Sequence, residues 1–241
     1  MGQGQGPDPA RIRALLEKSV HFRDLQPADL DALAGLGRLR LLRDGEVAGR
    51  AGRTSDELWI VLAGGLRLSS VTEAGEEFVY AVLGTGSFYG LGNVVGTPNT
   101  LTDARAFGPT ELAIFDGARL REMLDRNPRL WRHVTGLLVR RLSLAMSVIR
   151  DISVASLEQR MVRRLLGQAM SGGADITGGG SIELRVNQSD LSRMLGSSRS
   201  RVNAALKRLE SKGVLEVGYR TVRLTDLAAL REIAGPEVFA F

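Results

Sequence analysis

The chain has 241 residues, 44% hydrophobic and 24% charged, enough for one large domain or two modest ones with apolar cores. It contains no cysteine and only two histidines, His21 and His133, far apart in sequence. Disulfides, thiolate catalysis and cysteine-ligated iron–sulfur clusters are thereby excluded, and neither a metal site nor a cofactor is expected. The formal charge of +5 is unevenly held: 13 basic residues stand against 9 acidic ones after Ile152, and 19 against 18 before it, so a phosphate-bearing partner is expected toward the C-terminus.

The opening MGQGQGPDPA lacks a basic region followed by an apolar core, and no run approaches a membrane span; a cytoplasmic protein without a membrane partner is predicted. Its glycine-rich start predicts a mobile tail. Pro9 begins a first helix with Ile12, Leu15 and Leu16 on one face, and Pro27 and Ala28 open a second, in which Leu30, Leu33, Ala34 and Leu36 recur before Gly37 stops it. From Leu39 the pattern becomes β-rich: Leu39 to Leu42, Glu46 to Val47, Leu58 to Leu62, Leu66 to Val71, Glu77 to Leu83 and Glu111 to Phe115, separated by turn glycines. Such spacing predicts an antiparallel roll or barrel. The stretch GTGSFYG, Gly84 to Gly90, lacks the lysine of a phosphate-binding loop and reads as turn chemistry.

After Pro128 comes the longest predicted helix. Trp131, Thr135, Leu138, Leu142, Ala145, Ile149 and Ile152 recur in alternating steps of four and three, a heptad seam suited to a homodimer. A second stripe, Leu130, Val134, Leu137, Leu144 and Val148, is placed to pack on the β-rich part. The register breaks around Ser153 to Ser156, where a hinge is expected, and Ser156 with Gln159 forms a capping box for a further helix to about Met170. Ser171 to Gly180, SGGADITGGG, predicts a flexible loop, after which Ile182, Leu184 and Val186 alternate as a strand.

The stretch Val186 to Arg223 carries the functional signal. Asn187 caps a short helix with Leu191, Met194 and Leu195 inward, Gly196 supplies a tight turn, and Ser197 and Ser198 cap a second helix from about Arg199 to Ser211. Small Ser192 lets the two helices cross closely. Val202, Ala205, Leu206 and Leu209 point inward; Arg199, Ser200, Asn203 and Lys207 line the polar face, with Arg201 and Arg208 on its flank. Beyond Gly213, alternating residues around Gly218 and Tyr219 predict a two-stranded wing with basic tips. Double-stranded DNA is the predicted partner, contacted by Arg199, Ser200, Arg201, Asn203 and Lys207, with Ser198, Ser189 and the wing's Arg220. Asp226 to Ala234 predicts a last helix.

The sequence resembles the cyclic-AMP receptor protein and fumarate-nitrate regulator (CRP/FNR) family of bacterial transcription factors over nearly its whole length. The anchors are DGE at Asp44, LWIVLAGGLRL at Leu58, VLGTGSFYG at Val82, NP at Asn127, RRL at Arg140 and LSRMLGSSRSRV at Leu191. The resemblance implies an α+β chain in three parts: N-terminal helices and a cyclic-nucleotide-binding-like β-roll over 1–126, a dimerisation helix and hinge over 127–155, and a winged helix-turn-helix over 156–241. It also implies a homodimer on a near-palindromic operator, its recognition helices about 34 Å apart in successive major grooves. RNA polymerase is a further candidate partner.

The effector positions depart from the family. Where its cyclic-nucleotide binders carry a glutamate for the ribose and an arginine–serine pair for the phosphate, this chain has Leu91 and Leu101-Thr102; where they carry a threonine–serine pair facing adenine, it has Ala145-Met146. A buried phosphate without a paired cation is strongly disfavoured, so cyclic-AMP control of the usual kind is not expected and the effector is unknown. Arg105 reads as a surface strand residue, and the two histidines as structural rather than haem ligands. Arg199 matches the family arginine that begins the recognition helix, but Ser200 replaces the following glutamate and Ala204 the second arginine, so a different operator is expected. Two other readings stand beside this one. One is a sensor or adaptor acting mainly through protein contacts with a non-classical small-molecule ligand. The other is an enzyme, for which no nucleophile–base arrangement can be assembled.

Overall fold

The segment Leu58–Leu62 is apolar at every position because both of its faces are covered. It forms most of β4 (Glu57–Ala63), at the centre of the N-terminal part of the computed structural model, which describes residues 4–5, 8–22, 24–53, 55–96 and 102–235. Leu58, Ile60 and Leu62 face a helical layer, and Trp59 and Val61 face a second sheet. The period-2 alternation of a strand thus serves two cores at once.

Helices α1 (Pro9–Lys18) and α2 (Pro27–Leu36) precede the strands β2 (Arg38–Leu42), β3 (Val47–Gly49), β5 (Leu66–Val71), β6 (Glu77–Leu83), β7 (Phe88–Tyr89), β8 (Asp103–Ala106) and β9 (Thr110–Asp116). One sheet has the order β1-β2-β9-β4-β7, where β1 is Gly4–Gln5, and the other β3-β8-β5-β6; the strand pairs within both are antiparallel. The described part of the predicted tail is therefore a short strand, with Gly4 opposite Arg40 and Gln5 opposite Leu39. The short β7 was not anticipated, β8 only in the reading of Arg105 as a strand residue, and neither α3 (Leu91–Val94) nor α4 (Gly117–Arg126) was, although Asp116 caps α4 and Leu120 and Leu124 give it a buried face.

Helix α5 (Pro128–Val154) lays Leu130, Val134 and Leu137 into the core formed by α1, α2 and β4. The C-terminal half of its other stripe is bare, with Leu142, Ile149 and Ile152 64%, 62% and 67% exposed, whereas Trp131 and Leu138 are half-buried at the edge of that core. Ala155 and Ser156 are extended, and α6 (Leu157–Ser171) then begins with the predicted capping box. Asp151, buried at the end of α5, accepts a hydrogen bond from Nη1 of Arg163 on α6 across this elbow.

The C-terminal head comprises β10 (Ile182–Arg185), α7 (Gln188–Leu195), α8 (Arg199–Ser211), β11 (Leu215–Gly218), β12 (Thr221–Leu224) and α9 (Leu227–Ala234), its sheet ordered β10-β12-β11. The wing is thus a three-stranded sheet rather than a two-stranded one. Ile176 is buried in the head core and its carbonyl accepts from Arg231 at 2.5 Å, so the glycine-rich loop is pinned at its middle. That core also takes in Val79, Val82 and Phe107 of the roll, joining the first and last parts of the chain. Gly86, in the turn before β7, approaches Gly172 so closely that a Cβ would lie 2.2 Å from the Gly172 carbonyl oxygen; its φ of +84° also favours glycine. The architecture is the predicted one: α+β, with a β-roll, a long helix and a winged helix-turn-helix.

Candidate nucleic-acid interface

Helix α7 starts where the Asn187 side chain accepts from the Asp190 amide at 2.7 Å, and ends at Gly196 with φ +55°, a left-handed residue that turns the chain without a Cβ penalty. The Ser192 hydroxyl donates to the Ser189 carbonyl at 2.7 Å, which keeps this side chain folded back on its own helix. Ser198 caps α8, and Val202, Ala205, Leu206 and Leu209 are all buried beneath it. The opposite face is left to solvent. Arg199, Ser200, Arg201, Ala204 and Lys207 are exposed, Ser198 is exposed at the cap, and Asn203 and Ser189 are half-buried. Among the described residues, none forms a side-chain hydrogen bond or ion pair with Arg199, Arg201 or Lys207, so these cations are free for an external anion.

Other head cations are engaged. Arg208 and Lys212 reach Glu158 of α6 at 2.8 and 3.3 Å. Arg220 sits in the wing turn at φ +58°, beside the 92%-exposed Tyr219. Its guanidinium donates to both oxygens of Asp44 at 3.0 and 3.3 Å and lies 4.1 Å from the Phe107 ring centroid. Asp44 also accepts from the Gly108 amide at 2.7 Å. In this arrangement the wing arginine expected at a DNA phosphate is held by the roll instead, because the wing tip packs beside the turn preceding β9.

A second contact ties α7 to the roll. Arg67 on β5 donates from Nε to Asp190 at 2.7 Å and from Nη1 and Nη2 to Glu77 at 2.5 and 2.9 Å, while Arg193 lies 3.5 Å from Glu77. The Asp190 side chain is 2% exposed. Burial alone would lower the Arg67 pKa, but its bonds to Glu77 and Asp190 outweigh that and raise it; the Arg67 hydrogen bonds hold Glu77 down at about 2.

The effector positions are spread across the roll and α5. Leu91 is buried at the start of α3 and joins the apolar core, Thr102 is buried with its hydroxyl 2.9 Å from that of Tyr89, and Ala145 and Met146 are exposed on α5; Leu101 lies outside the described residues. Arg105 lies on a strand, β8, as read from the sequence, but is half-buried there rather than fully at the surface. A residue that sequence reasoning passed over is Arg141, whose Nη2 donates to the Phe88 carbonyl and whose guanidinium lies 4.1 Å from the Phe88 ring centroid; burial pushes its pKa down to about 10. It belongs to the RRL motif at Arg140 that anchors the family resemblance, but its place between the two stripes of α5 gave no sign that it would be buried. His21 and His133 both pack against Phe22, with ring centroids 6.2 Å away in each case, and burial lowers both pKa values. His21 donates from Nε2 to the Ser171 carbonyl at 3.1 Å, joining the N-terminal helices to α6.

Comparison with known proteins follows the same division. Residues 39–127 match the cyclic nucleotide-binding domain and residues 159–233 the Crp-like helix-turn-helix domain. The cyclic AMP receptor protein of Thermus thermophilus is 26% identical over 91% of this chain and 98% of its own length; the transcriptional activator protein FnrA of Stutzerimonas stutzeri is 26% identical over 93% and 96%. Among solved structures, the catabolite activator protein of Thermus thermophilus is 27% identical, covers 90% of this chain and 98% of its own, and superposes with a TM-score of 0.51. FixK2 from Bradyrhizobium japonicum, at 17% identity over 83% of this chain and 98% of its own, has a TM-score of 0.69 and supports the fold alone.

Proposed function

From the premise that the chain belongs to the CRP/FNR family of DNA-binding transcription regulators, we propose that it binds a near-palindromic operator as a homodimer joined along α5, without cyclic-AMP control of the usual kind. The observation that carries this reading is the pairing of two exposed surfaces: the unpaired Arg199, Arg201 and Lys207 on α8, and the apolar Leu142, Ile149 and Ile152 on α5. A second copy on the apolar stripe supplies a second recognition helix, and two-fold symmetry in the protein demands it in the DNA.

On the operator, Arg199 donates to guanine O6 and N7, Ser200 and Asn203 read neighbouring bases, and Arg201 and Lys207 meet phosphates. The missing cyclic-nucleotide contacts are supported by the surroundings of the substituted positions: buried Leu91 adds apolar surface where a ribose would need an acceptor, and the Thr102 hydroxyl is already partnered by Tyr89. The test is selection of fragmented genomic DNA by the purified protein at near-physiological salt, with and without cyclic AMP. A two-fold symmetric motif enriched equally in both is expected. Enrichment only with cyclic AMP would overturn the effector reading, and binding without sequence preference in either would overturn the operator reading.

A further inference from the structure

A cleft of about 360 Å³ opens between the roll, the long helix and the head, within the size range of small-molecule sites. Phe78 and Tyr80 of β6 stand on one side, their rings edge to face at 4.9 Å, opposite Leu144 and Val148 of α5. Met194 to Gly196, the turn of the helix-turn-helix, lines it as well. Of Leu91, Thr102, Ala145 and Met146, Ala145 alone takes part, so the cleft is displaced from the nucleotide position toward the head.

Its α6 wall is cationic. Arg160, Arg163 and Arg164 all line the cleft, and the only acidic side chain among the lining residues is Asp151. That carboxylate is committed: it accepts from Nη1 of Arg163 and lies 3.6 Å from Arg150. Arg163 is further satisfied by the Ala234 carbonyl at 2.7 Å. Among the described residues, Arg164 makes one side-chain hydrogen bond, to the Met194 carbonyl at 3.3 Å, and burial pushes its pKa down. Among the described residues, none forms a side-chain hydrogen bond or ion pair with Arg160. Two guanidinium groups thus line a partly dehydrated, largely apolar cleft without a carboxylate of their own, an arrangement that favours an incoming anion.

We propose that this cleft binds an amphipathic organic anion, with its aromatic or aliphatic body between the β6 aromatics and the α5 leucine–valine pair, and its carboxylate, phosphate or sulfonate on Arg160 and Arg164. Because the walls come from β6, α5, α6 and the helix-turn-helix turn, an occupant touches the roll and the head together and changes how firmly they are held. That effect on DNA binding rests on the regulator reading above; the binding itself does not.

The full-length protein would be titrated by fluorescence with two probes: 8-anilinonaphthalene-1-sulfonate, and N-phenyl-1-naphthylamine, which keeps the ring system and lacks the sulfonate. The sulfonate is expected to saturate one site per chain and to bind about tenfold tighter than the neutral amine, the scale of a charge-assisted hydrogen bond. The double substitution Arg160→Gln/Arg164→Gln should remove that advantage and leave the amine unchanged. Gly167→Leu supplies an independent check, since a Cβ there meets only Leu144 Cδ2 at 3.9 Å. The added side chain occupies the cleft and suits a helix better than glycine, so both probes should be excluded while the melting temperature is maintained. Equal binding of the two probes by the unsubstituted protein, no saturable binding at all, or sulfonate binding unaltered in both variants would overturn the proposal. Operator affinity measured in the same samples separates the two readings: probe binding as expected, with no DNA sequence preference, refutes the regulator reading and leaves the cleft intact.

Discussion

Two sets of cations share the small C-terminal head and meet opposite fates. Those on the outward face of α8, Arg199, Arg201 and Lys207, project from a helix whose inner face is used for packing, and no carboxylate among the described residues reaches them. Those on α7, the end of α8 and the wing are all drawn into ion pairs: Arg193 with Glu77, Arg208 and Lys212 with Glu158, Arg220 with Asp44, and Arg223 with Glu183. The basic excess of this stretch therefore overstates the positive surface open to DNA. Three of the eight cations between Arg193 and Arg223 have no ion pair among the described residues, and the partners of Arg193 and Arg220 belong to the roll.

The largest test of that contrast is Arg67→Ala. It leaves Asp190, 2% exposed at its side chain, without its buried cation, and the loss expected in urea unfolding is about 3 kcal/mol. An unfolding midpoint unchanged from the parent would mean that Asp190 is hydrated or protonated once Arg67 is gone. Next comes Arg199→Ala, expected to weaken binding to the preferred operator by about 1–3 kcal/mol and to relax its sequence preference. Equal losses on operator and random DNA, compared by fluorescence anisotropy, would assign Arg199 to the backbone. Lys207→Ala should lower affinity for all sequences alike and reduce the slope of log K against log salt by about 1. The smallest effect on stability belongs to Arg220→Ala: its pair with Asp44 is 34% and 51% exposed, so at most about 1 kcal/mol is at stake.

Acid sharpens the same comparison. Arg67 depresses the folded-state pKa of Glu77 from 4.5 to about 2, so its stabilising contribution is present above pH 4.5 and is lost as pH falls toward 2. In acid unfolding, the stability difference between the parent and Glu77→Gln should be constant above pH 4.5 and shrink steadily below it. A difference that persisted undiminished at pH 2 would show that the side chain acts through packing rather than charge.

Local order was legible in the sequence and long-range commitment was not. Val202, Ala205, Leu206 and Leu209 reveal α8 because a helix writes its buried face at a fixed period, and Ser156 with Gln159 announces α6 because both partners of the capping box lie within one turn. Asp44 and Arg220 stand 176 positions apart, and nothing near either residue marks the other. Likewise Val79, Val82 and Phe107 read as roll residues, since alternation says that a strand residue is buried but not against which layer. The missed α4 is a different failure: the Asp116 cap and the Leu120–Leu124 spacing were present in the sequence between the last strand and Pro128. The exposed positions on α5 were legible as a seam because they follow a heptad, whereas Arg141 lies between the two stripes and its burial depends on Phe88, 53 positions away.

The two extended residues between α5 and α6, bridged by the Asp151–Arg163 pair, stand where a pivot between the long helix and the head would lie, with α6 as its lever. Helix α6 has 15 residues, about 22 Å at 1.5 Å per residue, so a swing of about 10° at Ala155–Ser156 carries its far end about 4 Å. That is close to the rise of one base pair, about 3.4 Å. In the homodimer proposed above, such a swing in each chain would move the recognition helices in or out of step with the turn of the double helix, and it would first have to part the shared core in which α6 meets Val79, Val82 and Phe107.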